Sequence, residues 1–278
     1  MLLIVFVHYN KYNQLDEYVK YYLDKLLDIK EDKKVVFVST SKLSKTDKNN
    51  LITKEIEVIE RENIGYDFYS YKVGIEHGYT EDINSILICN DSVFGPLYDL
   101  NDIYNSMQNN SNDIVGISDN NEFIYHLQSY FVIFKENVIK SISFKNFWNN
   151  VQILSGRDEV IQTYELGMSK YFIDNGYKLG AYNKLLPSCL NVILYGQKKQ
   201  WMLARCFRYF RKGMFKEASA INVTHHLWEH LITKCNFPFI KRELIDKNPE
   251  NLSLENLNNL IQTHTNYPIN LFERKKTN

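Results

Sequence analysis

The sequence has no excess of either charge, because Lys and Arg together number 33 and Asp and Glu together number 33. Affinity for the phosphate backbone of a nucleic acid needs a clear basic excess. The balance therefore excludes a dedicated nucleic-acid-binding protein. With 44% hydrophobic and 24% charged residues, the 278-residue chain has the composition of a soluble globular protein and not of a disordered one.

Long hydrophobic runs are also missing, so no window of the sequence meets the requirement for a transmembrane helix. The N-terminal run MLLIVFV is too short to span a bilayer, and it lacks the basic region and small-residue cleavage site of a signal peptide. We therefore expect a cytoplasmic protein that is at most peripheral at the inner face of the plasma membrane.

Cysteines are few, and none of them forms a CxxC pair. The four are Cys89, Cys189, Cys206 and Cys235. This scatter favours free thiols in a reducing compartment over a disulfide framework or a cysteine zinc site.

Short apolar runs alternate with amphipathic stretches over residues 1–195. Runs closed by turn formers predict strands, and apolar residues at helical spacing predict helices. The predicted strands cover residues 2–7, 35–38, 56–59, 86–89, 113–117, 129–134 and 177–182. The predicted helices cover residues 14–27, 69–77, 103–107, 144–151 and 164–175, and a short one starts at 46–47. Strand and helix alternation from the first residue implies a Rossmann-like α/β domain, with a mixed, mostly parallel sheet flanked by helices.

Residues 196–278 are predicted to form a helical, basic and aromatic C-terminal extension. Its segment 198–216, KKQWMLARCFRYFRKGMFK, has seven basic residues and no acid. Such a segment suits a surface that lies on anionic lipid, and it equally suits a core-packed helix with a solvated basic face. The first interpretation makes a peripheral membrane or polyanion-binding module without catalysis one alternative function.

Three polar segments follow predicted strands: 8–10 (His-Tyr-Asn), 63–67 (Asn-Ile-Gly-Tyr-Asp) and 90–92 (Asn-Asp-Ser). In an open α/β sheet, ligands bind at the edge where the carboxyl ends of the parallel strands meet. A nucleotide needs a surface for its base, close backbone approach and a cation or dipole for its diphosphate. Tyr9, Gly65 and Asp91 are candidates for these roles in turn. The alternatives are a packed His8, a simple turn at Gly65 and an Asp91 that caps the following turn.

Two acids are the candidates for catalysis. Asp91, at the carboxyl end of a buried strand, can hold Mg²⁺ or Mn²⁺ bridging a diphosphate. Glu165 is predicted to open a helix, where it is either a general base at the cleft or an acid favoured only by the helix dipole.

Several sequence blocks are informative in combination: GYDFYSYKVGIEH, ICNDSVFGPL, HLQSYFVIF, FKNFW, TYELGMSKYFIDNGYKLGAY and NVTHHLWEHLI with FPFIKREL. Together they resemble the rhamnan synthesis protein F family of bacterial glycosyltransferases. The resemblance covers nearly the full chain and implies a GT-A-like fold. It also implies transfer of a sugar, often rhamnose from a dTDP-linked donor, onto a growing polysaccharide or a lipid-linked saccharide of the cell wall, capsule or O-antigen.

The same resemblance implies roles for single residues. Asp91 matches the acid of the DxD metal motif, although Asn90-Asp91-Ser92 lacks the second acid and leaves tight metal dependence open. Glu165 matches the base of inverting enzymes. The implied donor-binding residues are His8, Tyr9, Asn63, Gly65, Tyr66, Asp67, Lys72, Asn90 and Ser92. The implied residues of the acceptor cleft are His126, Gln128, Ser129 and His225.

A zinc metalloprotease is the alternative hypothesis, with hydrolysis of peptide bonds in place of sugar transfer. Residues 226–230, HLWEH, have the HxxEH spacing that places two histidines on one helical face as zinc ligands, with a glutamate as base. A third ligand is required, and nothing in the sequence marks Glu243 or Glu250 for that role. The pattern is short, and the family block NVTHHLWEHLI accounts for the same residues.

Overall fold

The structure is a computed structural model and describes residues 1–120, 124–184, 222–249 and 251–273. The predicted domain boundary at 195/196, the basic segment 198–216, Cys189 and Cys206 lie outside these ranges. The interpretation of that segment as a membrane contact stays a prediction.

Eight strands of the described residues form one sheet in the order β3-β2-β1-β4-β8-β6-β7, with β9 beside β6. Their bounds are β1 Leu2–His8, β2 Lys33–Ser39, β3 Ile56–Glu60, β4 Ser85–Asn90, β6 Ile114–Asn120, β7 His126–Leu127, β8 Phe131–Lys135 and β9 Leu179–Asn183. Neighbours from β3 to β4 pair in parallel, as do β6 and β9, whereas β8 runs antiparallel between β4 and β6. The predicted mixed, mostly parallel sheet is confirmed.

The central strand β1 shows why the sheet has a helical layer on both faces. All seven of its residues are buried, as expected for a strand with no solvent-facing side. Because side chains alternate across a strand, Leu2, Ile4 and Phe6 enter one apolar core, and Leu3, Val5 and Val7 enter the other.

Helices cover the two faces. Those described before residue 185 are α1 Glu17–Leu27, α2 Lys45–Thr53, α3 Tyr66–Gly78, α4 Leu100–Gln108, α5 Glu136–Ile139, α6 Ile142–Asn149, α7 Arg157–Val160 and α8 Gly167–Asp174, with a π-helical segment Ile161–Leu166 between α7 and α8. Side chains of α1 and α4 pack into the first core, and those of α3, α6 and α8 into the second. Helix α2 begins at Lys45, just before the predicted start at 46–47, and its cap is Ser44, whose hydroxyl accepts from the Asp47 amide.

The described part of the C-terminal region is helical and packs on the sheet. Its elements are α9 Val223–His226, α10 Trp228–Cys235, α11 Arg242–Asp246, α12 Leu257–His264 and a 3₁₀ turn Ile269–Phe272. Apolar side chains from these elements join the core that contains Leu2, Ile4 and Phe6. A short strand, β10 (Ile240–Lys241), pairs antiparallel with β5 (Val93–Phe94). This pairing holds residues 240–242 beside the segment that follows Asp91.

Of the helices in the described ranges, none has both the length and the apolar character needed to cross a bilayer. The two described cysteines, Cys89 and Cys235, are free thiols.

Candidate active site

The three polar segments predicted at strand ends lie next to one another, as expected from a shared sheet edge. The Tyr9 amide donates to the Asp91 carboxylate at 3.4 Å. The Asn90 side-chain amide donates to the Asp67 carboxylate at 2.8 Å. Main-chain and side-chain contacts therefore join residues that lie more than twenty and more than eighty positions apart in the sequence.

Two cavities at this edge contain most of the predicted site residues, and a third, of about 770 Å³, is lined by Tyr9, Asp16 and Arg242 among others. The central cavity, of about 500 Å³, is lined by Tyr66, Asp67, Asn90, Ser92, His126, Gln128, Ser129, Glu165 and His225 among the predicted site residues. The side cavity, of about 520 Å³, is lined by Tyr9, Asn63, Gly65, Tyr66 and Asp67. Each has the size of a small-molecule site. Tyr66 and Asp67 belong to both, so the two cavities meet at the start of α3.

Gly65 sets the direction of α3. Its φ of +73° is in the left-handed region, and a Cβ there would lie 2.8 Å from Cβ of Tyr69, so a residue without a side chain is required. The helix begins at Tyr66, and the predicted start at residue 69 is wrong. The turn at Gly65 thus places Asp67 in the first turn of α3, where its carboxylate faces Asn90.

Asp67 is partly buried among other acids. Burial, together with the charges of Asp91 and Glu165, raises the pKa of Asp67 to about 6. The hydrogen bond from Asn90 opposes this shift by favouring the charged carboxylate.

Asn90 and Ser92 form a fixed unit. The amide and the hydroxyl of Ser92 both donate to Oδ1 of Asn90, at 3.1 and 2.6 Å. The Asn90 oxygen is used by Ser92 and its nitrogen donates to Asp67, so its orientation is determined. Ser92 therefore orients the side-chain amide of Asn90.

Asp91 holds a side-chain cation. The Nη1 group of Arg242 lies 3.0 Å from Oδ2 of Asp91 and also donates to the Asp91 carbonyl oxygen at 2.9 Å. It donates to the hydroxyl of Tyr18 as well. Although burial opposes it, the charge of Asp91 raises the pKa of Arg242 above its ordinary value.

The predicted Mg²⁺ or Mn²⁺ at Asp91 does not fit this arrangement. An ion on this carboxylate would have to share it with the Arg242 guanidinium, a like charge that repels the ion and already neutralises Asp91. Within the described residues, no group of three His, Cys, Asp or Glu side chains is placed to hold a metal ion. Asp91 also lines neither the central nor the side cavity.

Glu165 does not open a helix. The helical path begins at Arg157, passes through the π-helical segment and ends at Asp174, so Glu165 lies within it and the explanation by a favourable helix dipole is wrong. Its position is fixed instead by the Ser129 amide, which donates to Oε1 at 3.2 Å. Local π-helical geometry is common at functional sites, and here it contains Glu165, one of the acids that line the central cavity.

The residues predicted for the acceptor cleft line the same cavity. The Nδ1 atom of His126 lies 2.9 Å from the Ile124 carbonyl oxygen. The Gln128 side-chain oxygen accepts from the Ser118 hydroxyl at 2.7 Å. His225 is buried. These residues form a polar wall of the cavity.

Two predicted donor-binding residues lie away from both cavities. His8 is fully buried, stacks on Phe37 and pairs with the Ser39 hydroxyl at 3.0 Å, and burial lowers its pKa. The Lys72 ammonium donates to the carbonyl oxygens of Asn149 and Val151. It therefore satisfies the carboxyl-terminal end of α6 and does not face a ligand.

The structure adds cavity residues that the sequence interpretation did not assign. Lys241, Arg242 and Arg157 line the central cavity, with Asn222 and Tyr130. The Lys241 ammonium lies 3.5 Å from the centroid of the Tyr130 ring, and burial lowers the pKa of Lys241 to about 8 against the opposing charges of Glu165 and Asp67. The available signal was the basic pair that follows an apolar run in FPFIKREL.

The HxxEH pattern does not place its histidines on one helix. His226 ends α9, Leu227 has non-helical backbone angles, and α10 begins at Trp228. The Nδ1 atom of His226 lies 3.0 Å from the backbone nitrogen and carbonyl oxygen of Asn222. The spacing argument for a zinc site therefore does not apply to this segment.

Curated proteins similar in sequence include the uncharacterized protein y4gN of Sinorhizobium fredii, 33% identical over 153 residues. The match covers 53% of this chain and 40% of that protein. The virulence protein VirA of Vibrio anguillarum is 31% identical over 200 residues, which is 69% of this chain and 62% of VirA. The chain thus spans less than two thirds of the length of each relative.

Similar solved structures include a galactosyltransferase, LgtC, in complex with donor and acceptor sugar analogues. It has a TM-score of 0.42 at 11% identity and covers 96% of this chain and 98% of its own. The mannosyltransferase PcManGT of Pyrobaculum calidifontis, in complex with GDP-Man and Mn²⁺, has a TM-score of 0.37 at 13% identity, with 50% and 45% covered. Both similarities are remote.

The family model described as rhamnan synthesis protein F matches residues 35–192. These residues make up more than half of the 278-residue chain, and they include the start of α3, the segment from Asn90 to Ser92 and Glu165. The chain belongs to the rhamnan synthesis protein F family.

Proposed function

We propose that this protein is a nucleotide-sugar-dependent glycosyltransferase that inverts the configuration of the anomeric carbon. One observation carries the proposal: in a member of this family, Glu165, Asp67 and Lys241 line a single cavity at the carboxyl edge of a mostly parallel sheet. A carboxylate fixed by a backbone amide, beside a cavity of sugar size, is the arrangement that general base catalysis needs.

The nucleoside of the donor occupies the side cavity. Tyr9 and Tyr66 are 44% and 42% exposed, so each presents a ring face to a base or ribose, and Gly65 allows close backbone approach. Asn63 and Asp67 add hydrogen-bonding groups on the same wall. The family name favours rhamnose as the donor sugar, and we propose dTDP as its nucleotide.

The sugar of the donor lies in the central cavity, where transfer occurs. One oxygen of Glu165 accepts from the Ser129 amide, and the second oxygen of the carboxylate accepts from the acceptor hydroxyl. The acceptor oxygen forms a bond to the anomeric carbon from the side opposite the diphosphate. The bond to the diphosphate oxygen breaks with its electron pair on that oxygen, and the acceptor proton passes to Glu165. No part of this step uses a metal ion, because the donor groups around Asp91 do not fit one.

The acceptor is a growing cell-surface polysaccharide or a lipid-linked saccharide. His126, Gln128 and His225 form the polar wall of the central cavity, and such groups hydrogen-bond sugar hydroxyls.

Glu165→Gln tests the base. We expect turnover to fall by ~10²–10⁴-fold with little change in donor affinity, as general base catalysis requires. The matched control is Glu159→Gln, because Glu159 is exposed on α7 and lines neither cavity. Transfer is measured with dTDP-rhamnose and with UDP-, GDP- and CDP-linked sugars, and the product anomer is read by NMR.

Near wild-type turnover in Glu165→Gln would remove Glu165 from the base role. A product that retains the donor configuration would contradict the single displacement. Absence of transfer with every donor, combined with no binding of any nucleoside diphosphate, would refute the proposed function itself.

A further inference from the structure

The acid at the carboxyl end of β4 has a protein cation as its partner. In an enzyme of the proposed class, this is the place where a positive charge must face the leaving diphosphate. The Arg242 guanidinium lies at this place. It donates hydrogen bonds to the carboxylate and the carbonyl oxygen of Asp91 and to the Tyr18 hydroxyl. Its side chain is 21% exposed and that of Asp91 12%, so the pair is largely removed from solvent.

Backbone pairing between β10 and β5 positions two cationic side chains, Lys241 and Arg242, near the end of β4. Strand β10 pairs with β5 in the register Ile240 to Phe94 and Lys241 to Val93. The Arg242 amide extends the pairing by donating to the Ser92 carbonyl oxygen at 2.9 Å. A ladder of this kind fixes the position of each side chain along it. Lys241 and Arg242 are therefore held in register with the segment that begins at Asp91.

Lys241 lines the central cavity together with Arg242. The Tyr130 ring lies beneath the Lys241 ammonium at 3.5 Å, and Asp67, Glu165 and Glu243 are the acids whose charges act on it. Against these attractions, burial lowers the pKa of Lys241 to about 8, which leaves it mainly protonated at neutral pH. A lysine ammonium binds phosphate as a point charge, and its attraction is strengthened where water is excluded.

We propose that the Lys241-Arg242 pair takes the place of a divalent metal ion, with Arg242 seated on Asp91 and the Lys241 ammonium neutralising the departing diphosphate. This inference rests on the proposed function. When the bond between the anomeric carbon and the diphosphate oxygen breaks, the electron pair stays on that oxygen and the new negative charge develops beside Lys241. The proton released by the acceptor hydroxyl goes to Glu165 and not to Lys241.

The first test is binding without catalysis. The affinities of dTDP, UDP, GDP and CDP and of the matching monophosphates are measured by calorimetry, in EDTA and again with Mn²⁺. We expect one diphosphate to bind the wild-type chain equally well in both. Lys241→Met should weaken that diphosphate about tenfold or more, as loss of a charge-assisted hydrogen bond does, and leave the monophosphate unchanged. Lys241→Arg should keep most of the affinity.

The second test is turnover. Lys241→Met should lower kcat by ~10²–10³-fold, the size of effect seen when one group that stabilises a developing anion is removed. The control is Lys234→Met, because Lys234 is exposed on α10 and lines neither cavity. Thermal unfolding checks each variant, and Lys241→Gln replaces Lys241→Met if the latter fails to fold.

The outcomes separate this inference from the function on which it rests. Diphosphate binding that requires Mn²⁺, or affinity and kcat unchanged in Lys241→Met, would overturn the cation pair and leave the glycosyltransferase intact. No binding of any of the four diphosphates, with or without Mn²⁺, would overturn both.

Discussion

Arg242 donates to the carboxylate of Asp91 across 3.0 Å, although 151 positions separate the two residues in the sequence. The contact joins the segment after β10 to the end of β4. Because of this contact, the positive charge next to Asp91 is the Arg242 guanidinium, whereas the sequence predicted a divalent metal ion there.

A double-mutant cycle measures this ion pair. Asp91→Asn and Arg242→Gln should each destabilise the protein by about 1–3 kcal/mol, since each removes the opposite charge from a largely buried group. The double variant should lose less than the sum, with a coupling energy of about 1–3 kcal/mol. Urea denaturation of the four proteins at one pH gives these values. Additive losses would mean that the pair contributes nothing by itself.

Asp67→Asn should stabilise the protein at neutral pH. The folded-state pKa of Asp67, about 6, is above its unfolded value, so the stability it contributes is fully present below about pH 4 and is lost as the pH rises through 6. Asparagine keeps an acceptor for Asn90 without the charge. We expect a gain on the order of 1–3 kcal/mol at pH 7.5 that disappears near pH 4.

The same variant should raise the KM for the nucleotide sugar, because Asp67 faces both cavities. Denaturation at the two pH values, with donor kinetics at pH 7.5, checks both effects. Equal stability of the variant and wild type at pH 7.5 would contradict the raised pKa.

Gly65→Ala and Gly176→Ala form a matched pair. Both glycines have positive φ, but a Cβ at Gly65 would meet Tyr69 at 2.8 Å, whereas nothing lies within 4 Å of a Cβ at Gly176. Each alanine should cost ~1–2 kcal/mol for its left-handed backbone, and Gly65→Ala should cost more. Only Gly65→Ala should weaken nucleotide binding, which calorimetry detects. Equal nucleotide affinity in the two variants would separate the turn at Gly65 from the site.

Protein purified without added metal should contain no stoichiometric zinc. His226 and His230 belong to separate helices, so they do not share the helical face that a zinc site of this spacing needs. Elemental analysis of the wild-type chain and of His226→Ala is the measurement. One zinc per chain that is lost in the variant would revive the metalloprotease hypothesis.

Local pattern predicted much of the fold and part of the site. The buried strands β1 and β4 were recognisable as apolar runs closed by turn formers, and their parallel pairing placed Tyr9 and Asn90 at one edge. The family blocks marked Glu165 and the wall from His126 to Ser129. Helix limits were less well predicted, because the left-handed turn at Gly65 and the π-helical segment around Glu165 leave little trace in apolar spacing.

By itself, the sequence determined the alternation of strands and helices, the strand-end position of Asp91 and the acids available for catalysis, since these depend on the order of neighbouring residues. Only the tertiary structure decided that Lys72 donates to carbonyl oxygens at the end of α6, that His8 is buried in the core and that Arg242 pairs with the Asp91 carboxylate. Such contacts arise when distant segments pack on a common core, and no local periodicity encodes which side chain will reach across.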